Sequence, residues 1–293
     1  MPWRKNKKHK PITPIKNKDS RRQIRVCFAA ISGRPAPIAF PAVAVNAKGQ
    51  IVGWSETSGG GRHAFVWENN SLTDLGRLGG RDSIPVAIND QGQVIGISTT
   101  AEGEEHGFFW EDGVMTPIKP LGGAYNHPSH LNQQGQVVGR AETAMGEERA
   151  YLWQQGDIID LGTQGGNRSY ARRINEQGQI IGQSEDENGA NQIFLWEKGG
   201  MTTLGTLGGG SSDAGDLNEQ GQIVGNALTA SNVQHAFIWE NDVMTDLGTL
   251  GGELSYAFRV NESGQVLGQS MYTPESQEQH AFLWEQGQLI DLG

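Results

Sequence analysis

The chain is poor in cysteine, in long apolar runs and, over most of its length, in positive charge. A single cysteine, Cys27, among 293 residues excludes an internal disulfide framework and leaves the redox compartment open. No apolar run approaches the roughly 18 residues of a membrane span, so a soluble protein is expected. Hydrophobic residues make up 36% of the chain, low for an ordinary globular mixture.

Positive charge is concentrated at one end. Residues 1 to 26 hold ten basic side chains against Asp19 alone, and the rest of the chain holds 13 basic against 32 acidic, giving +9 and −19. Residues 1–32 are therefore expected to be a basic, largely disordered tail ahead of an acidic body. An acidic body repels phosphates, so nucleic acid is not an expected partner. "SRRQIRV" at residues 20 to 26 is similar to a twin-arginine export signal, although the apolar "VCFAAI" that follows is short.

Glycine, by contrast, is abundant: 42 residues, which suits many tight turns. An asparagine ahead of "xxGQ" recurs at Asn46, Asn89, Asn132, Asn175, Asn218 and Asn261, always 43 residues apart. A tryptophan follows each asparagine by 21 residues, except in the last copy, where two inserted residues place Trp284 23 residues on. Such a period marks a repeat architecture. In the fourth copy "SYARRIN" reads as strand a, "QIIGQS" as b, "IFLWE" as c and "MTTLGTL" as d, with no helical periodicity. Gly178 suits a positive-φ turn position, and the asparagine side chain can close the same turn onto the backbone. Six four-stranded units of this length predict an all-β, six-bladed β-propeller over residues 34–293, with strand a innermost. Gly33 and Gly293 lie at the same phase, six periods plus two residues apart, so the ends meet. No strand is shared between the two ends at this phase, and "IRVCFAAIS" at residues 24 to 32 is a candidate seam strand beside "QLIDLG".

His63-Ala64-Phe65, His235-Ala236-Phe237 and His280-Ala281-Phe282 are each followed by x-Trp and then by "DLG". These segments resemble the HAF-repeat family, and the resemblance covers residues 34–293. It implies a repeat protein of bacteria and an extracellular or periplasmic setting, but no defined activity. His106-Gly107-Phe108, Arg149-Ala150-Tyr151 and Gln192-Ile193-Phe194 depart from the triplet. Histidine is thus not a per-unit catalytic or metal group.

The repeated sentence reads mainly as scaffold. Both faces of a propeller blade are covered, so the tryptophans are expected in the core between blades, with a row of sugar-stacking platforms as the alternative. Asp74, Asp160, Asp246 and Asp291 of "DLG" are expected to cap turns. "DENG" at residues 186 to 189 lacks the remaining ligand spacing of a calcium loop. No nucleophile motif, zinc spacing or phosphate loop is present, so no cofactor, metal or catalytic residue is assigned. A Ser-His-Asp triad needs geometry and not sequence proximity, so an enzymatic site here would have to be assembled across blades.

Function is expected where the copies differ. The b–c loops diverge most, and with the d–a "LGGxxS" connections they should share one face, which would bind a protein or glycan partner of a monomeric, non-catalytic propeller. The alternative is a propeller hydrolase or lyase with a polar site at the channel mouth. Two residues before the asparagine, strand a carries Ala44, Ala87, His130, Arg173, Asp216 and Arg259. The last four are a candidate channel site for an anionic small ligand, since arginine's planar fork suits carboxylate or sulfate. An alternating ion-pair belt would use the same residues as scaffold.

Overall fold

The computed structural model describes residues 41–57, 59–274 and 278–293. The expected tail, export signal and seam strand all lie outside the described residues. Within them the chain is all strand and turn, without helix, and forms 24 strands. These fall into six consecutive antiparallel meanders of four, each in the order a-b-c-d. The third and fourth meanders join into one eight-stranded sheet through a single parallel pair, Glu148 with Arg168.

In the fourth unit the strands are Gly165–Ile174, Ile180–Asp186, Asn191–Glu197 and Gly200–Thr203. Strand a starts four residues before the sequence suggests, because Gly165 pairs back to Asp186 at the end of strand b. The "LGGxxS" segments are thus largely strand, and the first glycines of "GGG" at residues 208 to 210 open strand a of the fifth unit rather than a loop. Strand d stops early, at Thr203.

The asparagine does more than close its own turn. In the third unit Asn132 Oδ1 accepts the amides of Gln134 and Gln136, at 3.1 and 3.0 Å, while Gly135 takes φ 75°. Its Nδ2 donates to Gln136 Oε1 at 2.7 Å and to the carbonyl of Asn175, the next repeat's asparagine, at 3.1 Å. The same rung to the next repeat runs from Asn46, Asn89, Asn175 and Asn218. Beside it, the residue after each asparagine offers a side-chain oxygen to the amide one repeat earlier: Asp90 to Ala47, Gln133 to Asp90, Glu176 to Gln133, Glu219 to Glu176 and Glu262 to Glu219. These rungs set the ends of the a strands side by side, as an inner strand requires.

A second staple works at the opposite end of the units. Ser83 Oγ accepts the amide of Ala64 in the preceding unit at 2.9 Å and donates to the Gly76 carbonyl at 2.7 Å. Ser169, Ser212 and Ser255 repeat both bonds. In the third unit the longer Asn126 replaces serine, bonding the Gly107 amide and the Ile118 carbonyl. A Cβ at residue 107 would collide with the Asn126 side-chain oxygen, which explains why this copy of the triplet reads His-Gly-Phe.

The core lies between units. Each of five buried clusters draws on two adjacent units; one gathers Ile95, Phe109 and Ile118 of the second unit against Leu131, Tyr151 and Trp153 of the third. Trp153 is 5% exposed, with its ring 5.0 Å from that of Phe109. Trp110, Trp196, Trp239 and Trp284 pack against the other four clusters. Those tryptophans are core, as expected, and not platforms.

Candidate functional site

A four-stranded meander has two ends. The a–b and c–d turns share one, here the turn end; the b–c loops and the starts of the a strands share the other, the loop end. The candidate residues of the a strands lie within two residues of the asparagine, and so at the turn end, opposite the b–c loops.

His130, Arg173, Asp216 and Arg259 come from four consecutive units, and their charges act on one another across them. Arg173 Nε donates to Asp216 Oδ1 at 3.2 Å. The other Asp216 oxygen accepts the Val260 amide at 3.3 Å, while Arg259 turns to its own neighbour's carbonyl, Phe258 O, at 2.8 Å. Asp216 therefore serves one arginine of the two, and the alternating belt is only half built. Burial lowers the Arg173 guanidinium below its usual range; Asp216 opposes that shift and Arg259 adds to it. His130 is pushed down to about 4, by burial first and by Arg173 next, against a hydrogen bond with the Ile174 backbone. Its Nδ1 is buried without a hydrogen-bond partner. Chemically this is a neutral imidazole facing two cations and one carboxylate, a setting that an incoming anion would balance.

The loop end carries a different arrangement. Between the b–c loop of the second unit and the start of the third lies an open groove of about 440 Å³, lined by Gly103, Glu104, Glu105, Tyr125, His127 and Arg140 among others. Tyr125 and His127 lean together with ring centroids 5.2 Å apart. Tyr125 Oη donates to Glu148 Oε1 at 2.7 Å, His127 Nε2 meets Glu105 Oε2 at 3.2 Å, and Arg140 lies 3.4 Å from both Glu148 and His127 Nδ1. Burial and the Glu148 carboxylate push the Tyr125 phenol up to about 12, so it stays a donor at physiological pH. Sequence reasoning missed this cluster. Its signal is departure from the repeat: at 43-residue spacing Tyr125 stands where Asp82, Arg168, Ser211 and Leu254 stand, and His127 where Ile84, Tyr170, Asp213 and Tyr256 do.

The remaining signature residues are structural. Asp74, Asp160, Asp246 and Asp291 each accept the amide of the glycine two residues on, at 2.7 to 2.9 Å, which is the capping role expected of "DLG". Three of them also take the Nδ1 of the triplet histidine: His63 with Asp74, His235 with Asp246 and His280 with Asp291. In "DENG", Asp186 Oδ1 accepts the amides of Asn188 and Ala190, so that carboxylate closes its own loop. Thr57, Thr100, Thr143 and Thr229 close the corresponding b–c loops with the same backbone pattern. Among those loops divergence is a matter of side chains, while the sixth, two residues longer, closes with a wider bond from Tyr272 to Glu278.

No family model matches the chain, and no curated protein does. Solved structures do. The β-propeller domain of the trilobed protease from Pyrococcus furiosus, described as having an open velcro topology, matches with a TM-score of 0.55 at 10% identity, over 85% of this chain and 80% of that one. This likeness shows the fold: a β-propeller. Porphyromonas gingivalis dipeptidyl peptidase 4 matches with a TM-score of 0.66 at 9% identity over 90% of this chain, and a prolyl endopeptidase with 0.58 at 11% over 87%. The propeller spans 46% and 42% of those two chains, less than half of either. Among the described residues no helix is long and apolar enough to cross a membrane.

Proposed function

We propose that residues 34–293 form a six-bladed β-propeller that binds a partner through the loop end of its blades without transforming it. The groove at Tyr125 carries this reading. It sits where the repeats differ, and it sets an aromatic face beside a cation, an imidazole and carboxylates. Carbon-bound hydrogens of a sugar ring pack on such a face while its hydroxyls take the polar groups, so of the two partner classes the groove favours a glycan over a protein. The HAF-like triplets support an extracellular or periplasmic setting in a bacterium, where glycans are at hand. A glycan array probed with the full chain and with Tyr125→Ala tests it. Binding that falls at least tenfold in the variant, with an unchanged thermal midpoint, is expected. An array without hits removes the glycan and leaves the protein partner.

The unbalanced arginines favour a second site, at the turn end, for a small carboxylate or sulfate ligand. Arg173→Ala should weaken that binding while changing stability little; a loss of stability without any ligand effect would return the four residues to scaffold. Under the enzymatic alternative, a hydrolase or lyase, His130 would handle a proton at the channel mouth. Turnover of ester or peptide substrates that disappears in His130→Gln would replace the binding reading with that one. The peptidase likenesses support fold and not activity, because at 9% and 11% identity they cover the propeller alone.

A further inference from the structure

Five of the interfaces between consecutive units are alike: a dry cluster, an asparagine rung and, at the loop end, a serine or asparagine staple. Continued around a ring, the same pattern would join the sixth unit to the first. The backbone carbonyl that takes the rung is kept on the first unit, at Asn46, but both side-chain acceptors needed there are absent from the sequence. Position 40, in phase with Ser83, is Phe40, and position 47, in phase with Asp90, is Ala47. The Ala281 amide, in phase with the amides that serine receives elsewhere, instead lies 3.4 Å from the Gly293 carbonyl of its own sheet.

The apolar side chains of that interface were not lost with the staples. On the sixth sheet Leu267 is 45% exposed, whereas its counterparts Ile95, Val138, Ile181 and Val224 are fully buried. Leu292 is 55% exposed against 7% for Leu161, and Phe258 and Ala281 are exposed beside them. On the first sheet Val45 and Leu72 are exposed at 46% and 51%. Two apolar sheet faces thus stand without cover among the described residues, at the one seam that lacks hydrogen-bonded staples.

We propose that residues 24–40 of this chain, "IRVCFAAISGRPAPIAF", fill that seam as a wedge between the sixth and first sheets. The segment leads directly into strand a of the first unit, Ala42–Val45, and so begins at the border of the uncovered surface. Seventeen residues reach at most roughly 56 Å when extended, and packed sheets lie about 10 Å apart, so length sets no obstacle. Ile24, Val26, Phe28, Ile31, Ile38 and Phe40 supply apolar side chains to match the faces. Pro35 and Pro37 carry no amide that would need a ladder partner. Arg25 and Arg34 bring positive charge to a unit that holds the carboxylates Glu253, Glu262, Glu285 and Asp291, among others, against one arginine, Arg259, and no lysine. A tethered segment also acts at an effective concentration in the millimolar range, which a second copy of the chain does not reach at ordinary protein concentration.

Cys27, the only cysteine, lies within the wedge and makes it testable in the full chain. In the native protein Cys27 should react with iodoacetamide at least tenfold more slowly than in the unfolded chain. Leu267→Cys should form a disulfide with Cys27 inside one chain under mild oxidation, and the product should run as a monomer. Cys27 labelling at the unfolded rate overturns the proposal. So do dimers linked through residue 267, which would seat a second copy on the face. Rapid intrachain linkage of Leu72→Cys to Leu267→Cys in a Cys27→Ser background would show the two sheets closing on each other without a wedge.

Discussion

The turn end and the loop end of each unit are made by the same four strands, yet they carry different information. At the turn end every copy holds the same asparagine, glycine and glutamine, and the side chains are consumed by bonds within the repeat and to the next one. At the loop end five b–c loops keep one backbone pattern while their side chains change from copy to copy. Repetition therefore marks the places where units must recognise one another. Variation marks the places where side chains line a surface open to something else, as Tyr125, His127 and Arg140 do.

Breaking the turn end should have the largest effect. Asn132→Ala removes two bonds to its own turn, one to Gln136 and the rung to Asn175. With buried polar groups left unpaired at about 1–3 kcal/mol each, a loss of about 3–5 kcal/mol is expected in chemical denaturation. Glu187→Ala, at the tip of a b–c loop, should stay within about 0.5 kcal/mol of the parent. Equal losses from the two would erase the distinction between the ends.

Acid should act next, and again at the turn end. The folded pKa of His130 is depressed to about 4 from 6.5, so the unfolded chain binds its proton first. Its stabilising contribution is present above pH 6.5 and is lost as the pH falls toward 4, by about 3 kcal/mol at pH 4 relative to pH 7. His130→Gln should flatten that part of the stability profile. His280 at the loop end has the opposite sign: the hydrogen bond with Asp291 raises its pKa, so its contribution is complete below pH 6.5 and fades as the pH rises through the folded value.

The smallest change lies between the ends and should be a gain. Tyr151 occupies the place of Phe65, Phe108, Phe194, Phe237 and Phe282, and its hydroxyl is fully buried without a partner. Tyr151→Phe should raise stability by about 1–2 kcal/mol in thermal or chemical unfolding. A loss would mean that the hydroxyl has found a partner in solution.

The 43-residue period made the four-stranded unit, its asparagine turn and the core tryptophans legible in sequence, because each is repeated at fixed spacing. Strand a was read too short because Gly165-Gly166 has the composition of a turn while serving as paired backbone. The four crescent residues were placed by arithmetic, but that Asp216 would choose Arg173 over Arg259 depends on side-chain directions no spacing records. His127 and Glu105 meet across two units at an offset of 22 residues, outside the period, and only the departure of Tyr125 and His127 from the other copies hinted at the groove. Phe40 and Ala47 became meaningful once Ser83 and Asp90 had been seen to staple.

The asparagine rungs also bear on how the chain acquires its structure. Each rung spans 43 residues and reaches only the adjacent repeat, and the serine staples span 19. Any neighbouring pair of repeats can therefore nucleate and recruit the next in either direction, as in linear repeat arrays, with no step that must bring distant sequence together. Under the proposed ring, joining the sixth unit to the first would alone carry the entropy of a long loop, so it is the step expected to come last and to set the rate.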